Sequence, residues 1–404
     1  MTNTAQPRTF THLLVTGGAG FIGANFVHRT LATRPDVHIH VLDAMTYAAN
    51  PANLLDDADR PLEEVYPGRF SFTAGDVADA DLVDSLVGQL AKDAADGAVH
   101  DGQQRTVEGG YQPAQRGVAS HEIPEAQRGD SEGDSSAHAG AAIVHFAAES
   151  HNDNSLLDPA IFARTNVEGT VNLAAAAVKH GVHLHHISTD EVFGDLELDD
   201  PLRFTTATPY RPSSPYSASK ASADHFVRAF VRSKGLRATI SNCSNNYGPR
   251  QHPEKFIPRQ ITALIEGQQP RLYGAGLNVR DWIHVDDHND AVWRILEHGH
   301  EGETYLIGAD GERSNIQVVR DLLQIFGEQP NHFLHVTDRP GHDKRYAIDP
   351  ASIRSLGWTP QFTNFDEGLR HTVEWYRNHR TWWEEARVAS EEKYGRTERE
   401  LGAL

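Results

Sequence analysis

The chain has 404 residues, a formal charge of −19, 39% hydrophobic residues and a mean hydropathy of −0.52. Such an acidic balance argues against a nucleic-acid partner, which calls for basic stripes, and no apolar run reaches the length of a membrane span. Cys243 is the only cysteine, so no intrachain disulfide can form, and Met1 to Pro7 lacks the charged-then-apolar pattern of a signal peptide. The expected location is the cytoplasm.

His12 to Thr16 is a short apolar run that reads as a strand, followed by Gly17-Gly18-Ala19-Gly20-Phe21-Ile22-Gly23. Gly18, Gly20 and Gly23 carry the G-x-G-x-x-G spacing, and Gly17 adds an overlapping series. A helix pattern (Phe21, Ile22, Phe26, Val27, Leu31) comes next, then a second strand from Val37 to Leu42, ending in Asp43. Strand, glycine turn, helix, strand and acid form the context of a dinucleotide site. The glycines let the backbone approach a pyrophosphate at the helix N-terminus, and Asp43 can accept from a ribose 2′-hydroxyl. Ala44 to Ala49 offers no Arg or Lys for a 2′-phosphate, so the expected cofactor is NAD rather than NADP.

Phe70 to Val77 reads as a third strand running into a loop. Asp76 there can reach an adenine or cap the helix that starts near Asp79 and ends near Lys92. Residues 93–140 are rich in Gly, Ala, Gln, Asp, Ser and Glu with almost no aliphatic periodicity, and read as a disordered insertion. The insertion joins a helix to the fourth strand, Ala142 to Ala148. That edge of a parallel sheet lies opposite the ligand-binding edge, so a tolerated insertion or a partner-binding segment is expected, not a catalytic lid.

Glu149 to Ser155 is a polar turn at a strand's carboxyl end, suited to contacting cofactor or substrate. The helix from Phe162 to Lys179 carries alanines 174–177, a face for close packing against a second subunit. Val182 to Ile187, the fifth strand, delivers Ser188-Thr189-Asp190-Glu191. His183, His185 and His186 lie on it, but no partner stands at zinc-ligand spacing, so they read as strand and core-edge residues and no metal is expected.

After a Pro/Ser loop (Pro209 to Pro215), a helix from about Tyr216 through Arg232 sets Tyr216 and Lys220 one turn apart on one face. A phenol beside an ammonium can ionise far below its usual pKa of about 10. That provides a base for a sugar hydroxyl, and a hydroxyl losing proton and hydride is oxidised. The adjacent carboxyls of Asp190 and Glu191 exceed what an oxidation needs and point to a second step. In a regular strand they would face opposite sides, so the backbone is expected to leave the strand at Thr189. Arg237 to Ser241 is a sixth strand, and the last long helix is expected to open at Asn364, with Glu367 completing a capping box.

These elements predict an α/β fold, a Rossmann-type doubly wound parallel sheet over 11–244, interrupted by the insertion. A smaller mixed α/β substrate-binding domain is expected over 245–404, with part of 278–310 returning to the first domain.

The stretches TGGAGFIGANFV, FAAESHNDNS, HHISTDEVFGD, SPYSASKASADHFVRAF, NCSNNYGP, PEKFIP, RDWIHVDDH and DRPGHDKRYAID resemble the extended short-chain dehydrogenase/reductase family. Within it the chain is similar to the dTDP-glucose 4,6-dehydratases, over Leu13 to Tyr376 apart from the insertion. The resemblance implies that Tyr216 deprotonates the hydroxyl at carbon 4 and Lys220 holds the cofactor ribose and lowers the Tyr216 pKa. It implies that Thr189 bonds the reacting oxygen, Glu191 removes the proton at carbon 5, and protonated Asp190 donates to the departing hydroxyl at carbon 6. NAD contacts follow at Gly17, Gly20, Phe21, Ile22, Gly23, Asp43, Asp76, Val77, Ala147, Ala148, Tyr216, Lys220 and Asn245. For a dTDP-glucose substrate they follow at Ser150, Asn245, Lys255, Phe256, Tyr273, Arg280, Asn315, Arg339, His342 and Tyr394. A homodimer through the Phe162 and Tyr216 helices is implied as well.

Departures from the resemblance are Asn152 and Asn154 in place of apolar and basic residues, Ala44 for a Lys, Arg271 for a Pro and Thr206 for an acid. None touches the catalytic set; they bear on which base the nucleotide carries. The alternatives are a 4,6-dehydratase of another nucleotide sugar such as UDP-glucose, a nucleotide-sugar 4-epimerase, which would lack the Asp-Glu pair, and a non-catalytic NAD-binding regulator, which would have lost Tyr216, Lys220 or Glu191.

Overall fold

In a computed structural model, residues 7–96, 140–338, 343–395 and 398–399 are described. Arg339, His342 and nearly all of the expected insertion lie outside the described residues.

The strands in chain order are β1 (His12–Thr16), β2 (His38–Asp43), β3 (Phe70–Ala74), β4 (Ala141–His145), β5 (His183–Thr189) and β6 (Ala238–Cys243). They continue with β7 (Asn245–Tyr247), β8 (Arg271–Tyr273), β9 (Val279–His284), β10 (Thr304–Ile307), β11 (Glu312–Ser314) and β12 (Leu334–Val336). Seven of them form one sheet in the order β10-β6-β5-β4-β1-β2-β3, every neighbouring pair parallel. β1, β4, β5 and β6 are buried at every position. Helices cover both faces, so β1 and β4 read as near-continuous apolar runs, while β5 and β6 carry buried polar residues such as His185, His186, Thr239 and Ser241. Strand order reverses between β1 and β4, which opens a crevice at the carboxyl edge.

One face is covered by the helices Phe21–Thr33 and Val285–His298, through Phe26, Val27, Leu31, Val292, Trp293 and Leu296. The two helices are joined by a fork from Arg29 to Asp290 (2.7 and 2.6 Å) and by Trp293 Nε1 donating to Thr30 Oγ1 at 2.8 Å. With β10 this brings the chain back to the large sheet after β9. The opposite face carries Ala80–Asp96, Gly169–His180 and Pro215–Lys234. Ala174, Ala176 and Ala177 are buried there with Val83, Val87, Leu90 and Leu173. The alanine face expected to meet a second subunit is therefore used inside the protomer, since small side chains let Gly169–His180 pack closely on Ala80–Asp96.

Boundaries shift where tertiary pairing overrides local pattern. β5 runs two residues beyond Ile187 because β6 pairs with it up to Thr189↔Cys243. The segment expected as one helix from Phe162 is divided into Pro159–Phe162, a π-helical turn Ala163–Glu168 and Gly169–His180. Asn364 does cap Phe365–Asn378, but its amide oxygen accepts from Asp366 N at 3.1 Å, while the Glu367 N–H bonds the Asn364 carbonyl at 3.2 Å. The expected box is replaced by a single short-range cap. A further helix, Arg380–Tyr394, follows the one expected to be last.

The strand histidines are packed and neutral. His145 bonds Thr16 and Thr170, His185 bonds Thr239 and Ser241, and burial pushes both rings well below the usual imidazole pKa. Among the described residues no cluster of His, Cys, Asp and Glu suits a metal ion, and no helix is long and apolar enough to cross a membrane.

Candidate active site

The turn after β1 is a backbone cradle. Gly17 has φ +73°, and a Cβ there would lie 2.6 Å from Ala147 N; one at Gly23 would lie 2.2 Å from Gly17 O. Both positions exclude any side chain. Asp43, at the end of β2, is pinned by two backbone donors, Ala19 N to Oδ2 at 2.9 Å and Met45 N to Oδ1 at 2.8 Å. Its carboxylate thus faces the cradle from a fixed position. Gly17, Gly20, Phe21, Ile22, Gly23, Asp43, Asp76, Val77, Ala147, Ala148, Tyr216, Lys220 and Asn245 all line one cavity of about 420 Å³. A glycine cradle at a helix N-terminus, a ribose-facing acid and no cation at Ala44 suit an unphosphorylated dinucleotide such as NAD. Asp76 does not cap the following helix; Asp79 does, accepting from Leu82 N at 3.1 Å, while Asp76 pairs with Arg164 at 2.8 Å. Arg164, on the cavity wall, carried no sequence signal.

At the end of β5 the chain leaves the strand where expected. Thr189 remains extended (φ −134°, ψ 156°), and its hydroxyl accepts from Glu191 N at 3.3 Å. A 3₁₀ turn, Asp190–Phe193, follows and is closed by Gly194 at φ +87°. The turn gives the two carboxyls different surroundings. Asp190 points inward, 1% exposed, with Oδ1 accepting from Thr189 Oγ1 at 3.3 Å and Oδ2 buried without a partner among the described residues. Burial first, then the neighbouring Glu191 charge, holds its carboxyl well above the usual range. Glu191 is also raised by burial, but the Asn152 amide donates to its Oε2 at 2.8 Å and, with Arg280 and Lys255, opposes the rise. One carboxyl is held neutral and the other kept closer to ionisation.

Tyr216 and Lys220 sit on Pro215–Lys234, which begins with a capping box between Ser214 and Ser217 and with Pro215 in the first turn. Both side chains are buried and line the cofactor cavity. One expectation is corrected. Lys220 Nζ donates to Ile187 O at 2.7 Å and is electrostatically paired with Asp224, while burial pushes its pKa down to about 8. It is not what governs Tyr216. Burial and then the Glu191 charge push that phenol well above its usual value, with the Thr189 hydroxyl pulling the other way. In a site this dry, desolvation of a phenolate outweighs a lysine whose charge is already engaged.

A second cavity, about 340 Å³, continues from the first and shares Ser150, Glu191, Asn245 and Lys255 with it. Phe256, Tyr273, Arg280, Asn315 and Tyr394 also line it, so every described residue expected to face substrate is brought together there. Arg280 is held in place by donating to the carbonyls of Val279 (2.8 Å) and Asp343 (3.0 Å) and by lying 4.5 Å above the Tyr346 ring. At the far end Tyr273 donates to Glu398, which also accepts from Arg259, and Tyr394 donates to Glu254 O at 2.9 Å. Asn152, Ser214, Asp343 and Tyr346 line this cavity too and were missed as site residues. Asn152 lies in the polar turn from Glu149 to Ser155, which reads as suited to cofactor or substrate. Ser214 carried a signal only as a serine directly before Pro215 at a helix start, which concerns capping and not the cavity.

Comparisons with known proteins give the chain's family. A family model described as GDP-mannose 4,6 dehydratase matches residues 14–95 and 136–372. A dTDP-glucose 4,6-dehydratase of Mycobacterium tuberculosis is 51% identical over 383 residues, 95% of this chain and 98% of that protein. One from Streptomyces griseus is 42% identical over 93% of this chain and 96% of its own length. The solved structure of DesIV, a dTDP-glucose 4,6-dehydratase from Streptomyces venezuelae with NAD bound, is 40% identical with a TM-score of 0.75, covering 93% of this chain and 100% of that one. The chain belongs to the dTDP-glucose 4,6-dehydratase family, within the extended short-chain dehydrogenase/reductases.

Proposed function

We propose that this chain catalyses the NAD-dependent dehydration of dTDP-glucose to dTDP-4-keto-6-deoxyglucose, a hydro-lyase reaction with no net redox change. The observation that carries the reading is the break at Thr189, which presents a neutral Asp190 and a more ionisable Glu191 beside Tyr216. In this mechanism Tyr216 acts in its phenolate form, which the Thr189 hydroxyl favours against burial and the Glu191 charge, and takes the proton of the carbon 4 hydroxyl while Thr189 bonds the same oxygen. When bound, NAD supplies the hydride acceptor for carbon 4 and the hydride donor for carbon 6. Glu191 takes the carbon 5 proton, made acidic by the new ketone, and Asp190 gives its proton to the departing carbon 6 hydroxyl, so that water leaves. As carbon 6 is reduced Glu191 returns a proton to carbon 5, and the proton left on Tyr216 balances the one Asp190 must regain through solvent. Gly17, Gly20, Gly23 and Asp43 would hold the cofactor's pyrophosphate and ribose, with Lys220 at the second ribose. Arg280 and Arg339 would grip the substrate pyrophosphate through their planar forks, and Tyr273 and Tyr394 would flank the nucleotide base.

In the same reading, 11–244 with the returning helix and strand at 285–307 is the cofactor half, and the remainder of 245–404 is the nucleotide-sugar half. The protein is a homodimer through the helices around Phe162 and Tyr216. Support comes from Leu156 and Leu157, 66% and 82% exposed, and from Phe226 on Pro215–Lys234 at 42%. Sedimentation equilibrium is expected to return twice the chain mass; a monomer across the micromolar range refutes the dimer.

Incubation with dTDP-glucose and mass analysis test the reaction. The expected product is lighter by one water with no lasting NADH absorbance. A 4-epimer of unchanged mass, or accumulating NADH, would sink the reading.

A further inference from the structure

Asn152 stands where the resemblance leads one to expect an apolar residue, and its side chain is fully engaged. Its Nδ2 donates to Glu191 Oε2 at 2.8 Å, and its Oδ1 accepts from Ser214 Oγ at 2.9 Å. The carboxylate fixes the orientation: an ionised Glu191 can only accept, so the NH₂ must face it and the amide oxygen faces Ser214, whose hydroxyl can donate. Ser214 is in turn the N-cap of the helix that carries Tyr216 and Lys220. A continuous chain of side-chain hydrogen bonds therefore runs from the cap of the helix bearing the oxidation residues to the carboxylate assigned to elimination.

We propose that Asn152 is a positioning residue for the elimination step, holding Glu191 in its basic form and in one orientation through the Ser214–Asn152–Glu191 relay. The proposal rests on the reading of Glu191 as the base at carbon 5. An amide N–H stabilises a carboxylate and gains little from the neutral acid, so it keeps a buried glutamate ionised at lower pH than burial alone would allow. The groups facing Glu191 from the surrounding elements are Asp190 on its own turn, Tyr216 on Pro215–Lys234, Lys255 before Phe256–Ile265, Arg280 on β9, and Asp343 and Tyr346 after β12. Asp343 disfavours the ionised form, Lys255 and Arg280 favour it, and Asp190, held neutral beside it, adds no opposing charge. Asn152 bonds Glu191 directly and carries no titratable charge, so its contribution persists over the pH range in which the carboxyls titrate.

The test separates the two halves of the reaction in single turnovers. Formation of NADH, followed by absorbance, reports the step at carbon 4, and solvent deuterium appearing at carbon 5 reports the step at Glu191. Asn152→Ala removes the donor; Asn152→Asp keeps the shape, so folding is retained, but replaces the donor with an acid. In both variants NADH formation is expected to slow at least about fivefold less than deuterium incorporation does at the same pH. The acid limb of deuterium incorporation is expected to move up by about one pH unit in Asn152→Ala and further in Asn152→Asp. Limbs that superimpose on the unaltered protein's, or NADH formation that slows as much as exchange, overturn the proposal. If the unaltered protein itself releases no dehydrated product, the function assigned above fails instead, and that outcome is read before any variant is compared.

Discussion

Replacing Asp190 by asparagine separates its two proposed properties, proton donor and buried neutral acid. The substitution keeps the shape and the oxygen that accepts from Thr189 Oγ1, but the amide has no proton to deliver to a leaving hydroxyl. Loss of a general acid of this kind slows its step by about 10²–10⁴-fold, about 3–5 kcal/mol of barrier. Stability is expected to move the other way. The folded-state pKa of Asp190 is raised by burial and by Glu191, above the unfolded value of about 3.9. Between those values the folded protein holds a proton that the unfolded chain releases, so stability falls as pH rises through that window. The loss is about 1.4 kcal/mol per pH unit, and the Asp190→Asn variant, which does not titrate there, escapes it. Urea titrations at pH 5 and pH 8 should therefore show the variant gaining on the unaltered protein at the higher pH, while single-turnover elimination collapses and NADH formation survives. A stability difference that does not change with pH would mean that Asp190 is not held neutral. Elimination at the unaltered rate would place the acid elsewhere.

At Gly23, an added Cβ would lie 2.2 Å from Gly17 O, a backbone atom that cannot move without opening the turn. Gly23→Ala is expected to cost about 1–3 kcal/mol of stability and at least about tenfold in NAD affinity by fluorescence titration; unchanged affinity would refute the cradle. His186 and His288 are fully buried, and desolvation lowers both pKa values to about 4. A histidine depressed in the folded state contributes stability that is present above about 6.5 and lost as pH falls toward 4, up to about 3 kcal/mol for each. Asp190 gives the opposite trend over part of this range, so the readout is the difference. The urea midpoint of the parent should fall relative to that of a His288→Gln variant between pH 7 and pH 5, and a difference that does not change with pH contradicts the burial argument. Asp96 and Gly140 flank residues 97–139, and a Cβ at Gly140 would lie 3.9 Å from that of Ala94, at the edge opposite the cavities. Replacing 97–139 with a short linker should keep turnover within about twofold, since joining two such close ends costs little chain entropy. A tenfold loss would show that the segment serves the site.

Six of the seven strands of the large sheet were legible, because most are buried on both faces and the first turn combines glycines, helix and acid at fixed spacing; β10 was expected only as part of a return over 278–310. β7, β8, β9, β11 and β12 were not legible one by one. They are short, partly exposed and paired with distant partners, such as Arg313↔Arg280, that no local window contains. The cavity-lining residues before 280 could be placed by motif. Asp343 and Tyr346 could not, because their relation to Arg280 exists only once the segment after β12 folds back beside β9, as in the Val279↔Arg345 bridge.

The same limit explains the acid and the base. Adjacent in sequence, Asp190 and Glu191 are equivalent on paper, and nothing in their order says which should donate and which accept. What separates them is the turn at Thr189. It turns Asp190, on the wall of the cofactor cavity, toward Asp281 and Cys243, and leaves Glu191 where the two cavities meet, with Asn152, Arg280 and Lys255. Asn242 holds that turn by donating to Thr189 O at 3.1 Å and to Asp224 at 3.2 Å. The division of roles is therefore a property of the strand's end. A substitution at Asn242 that lets β5 continue past Thr189 should equalise the two carboxyls and slow elimination, although it touches neither of them.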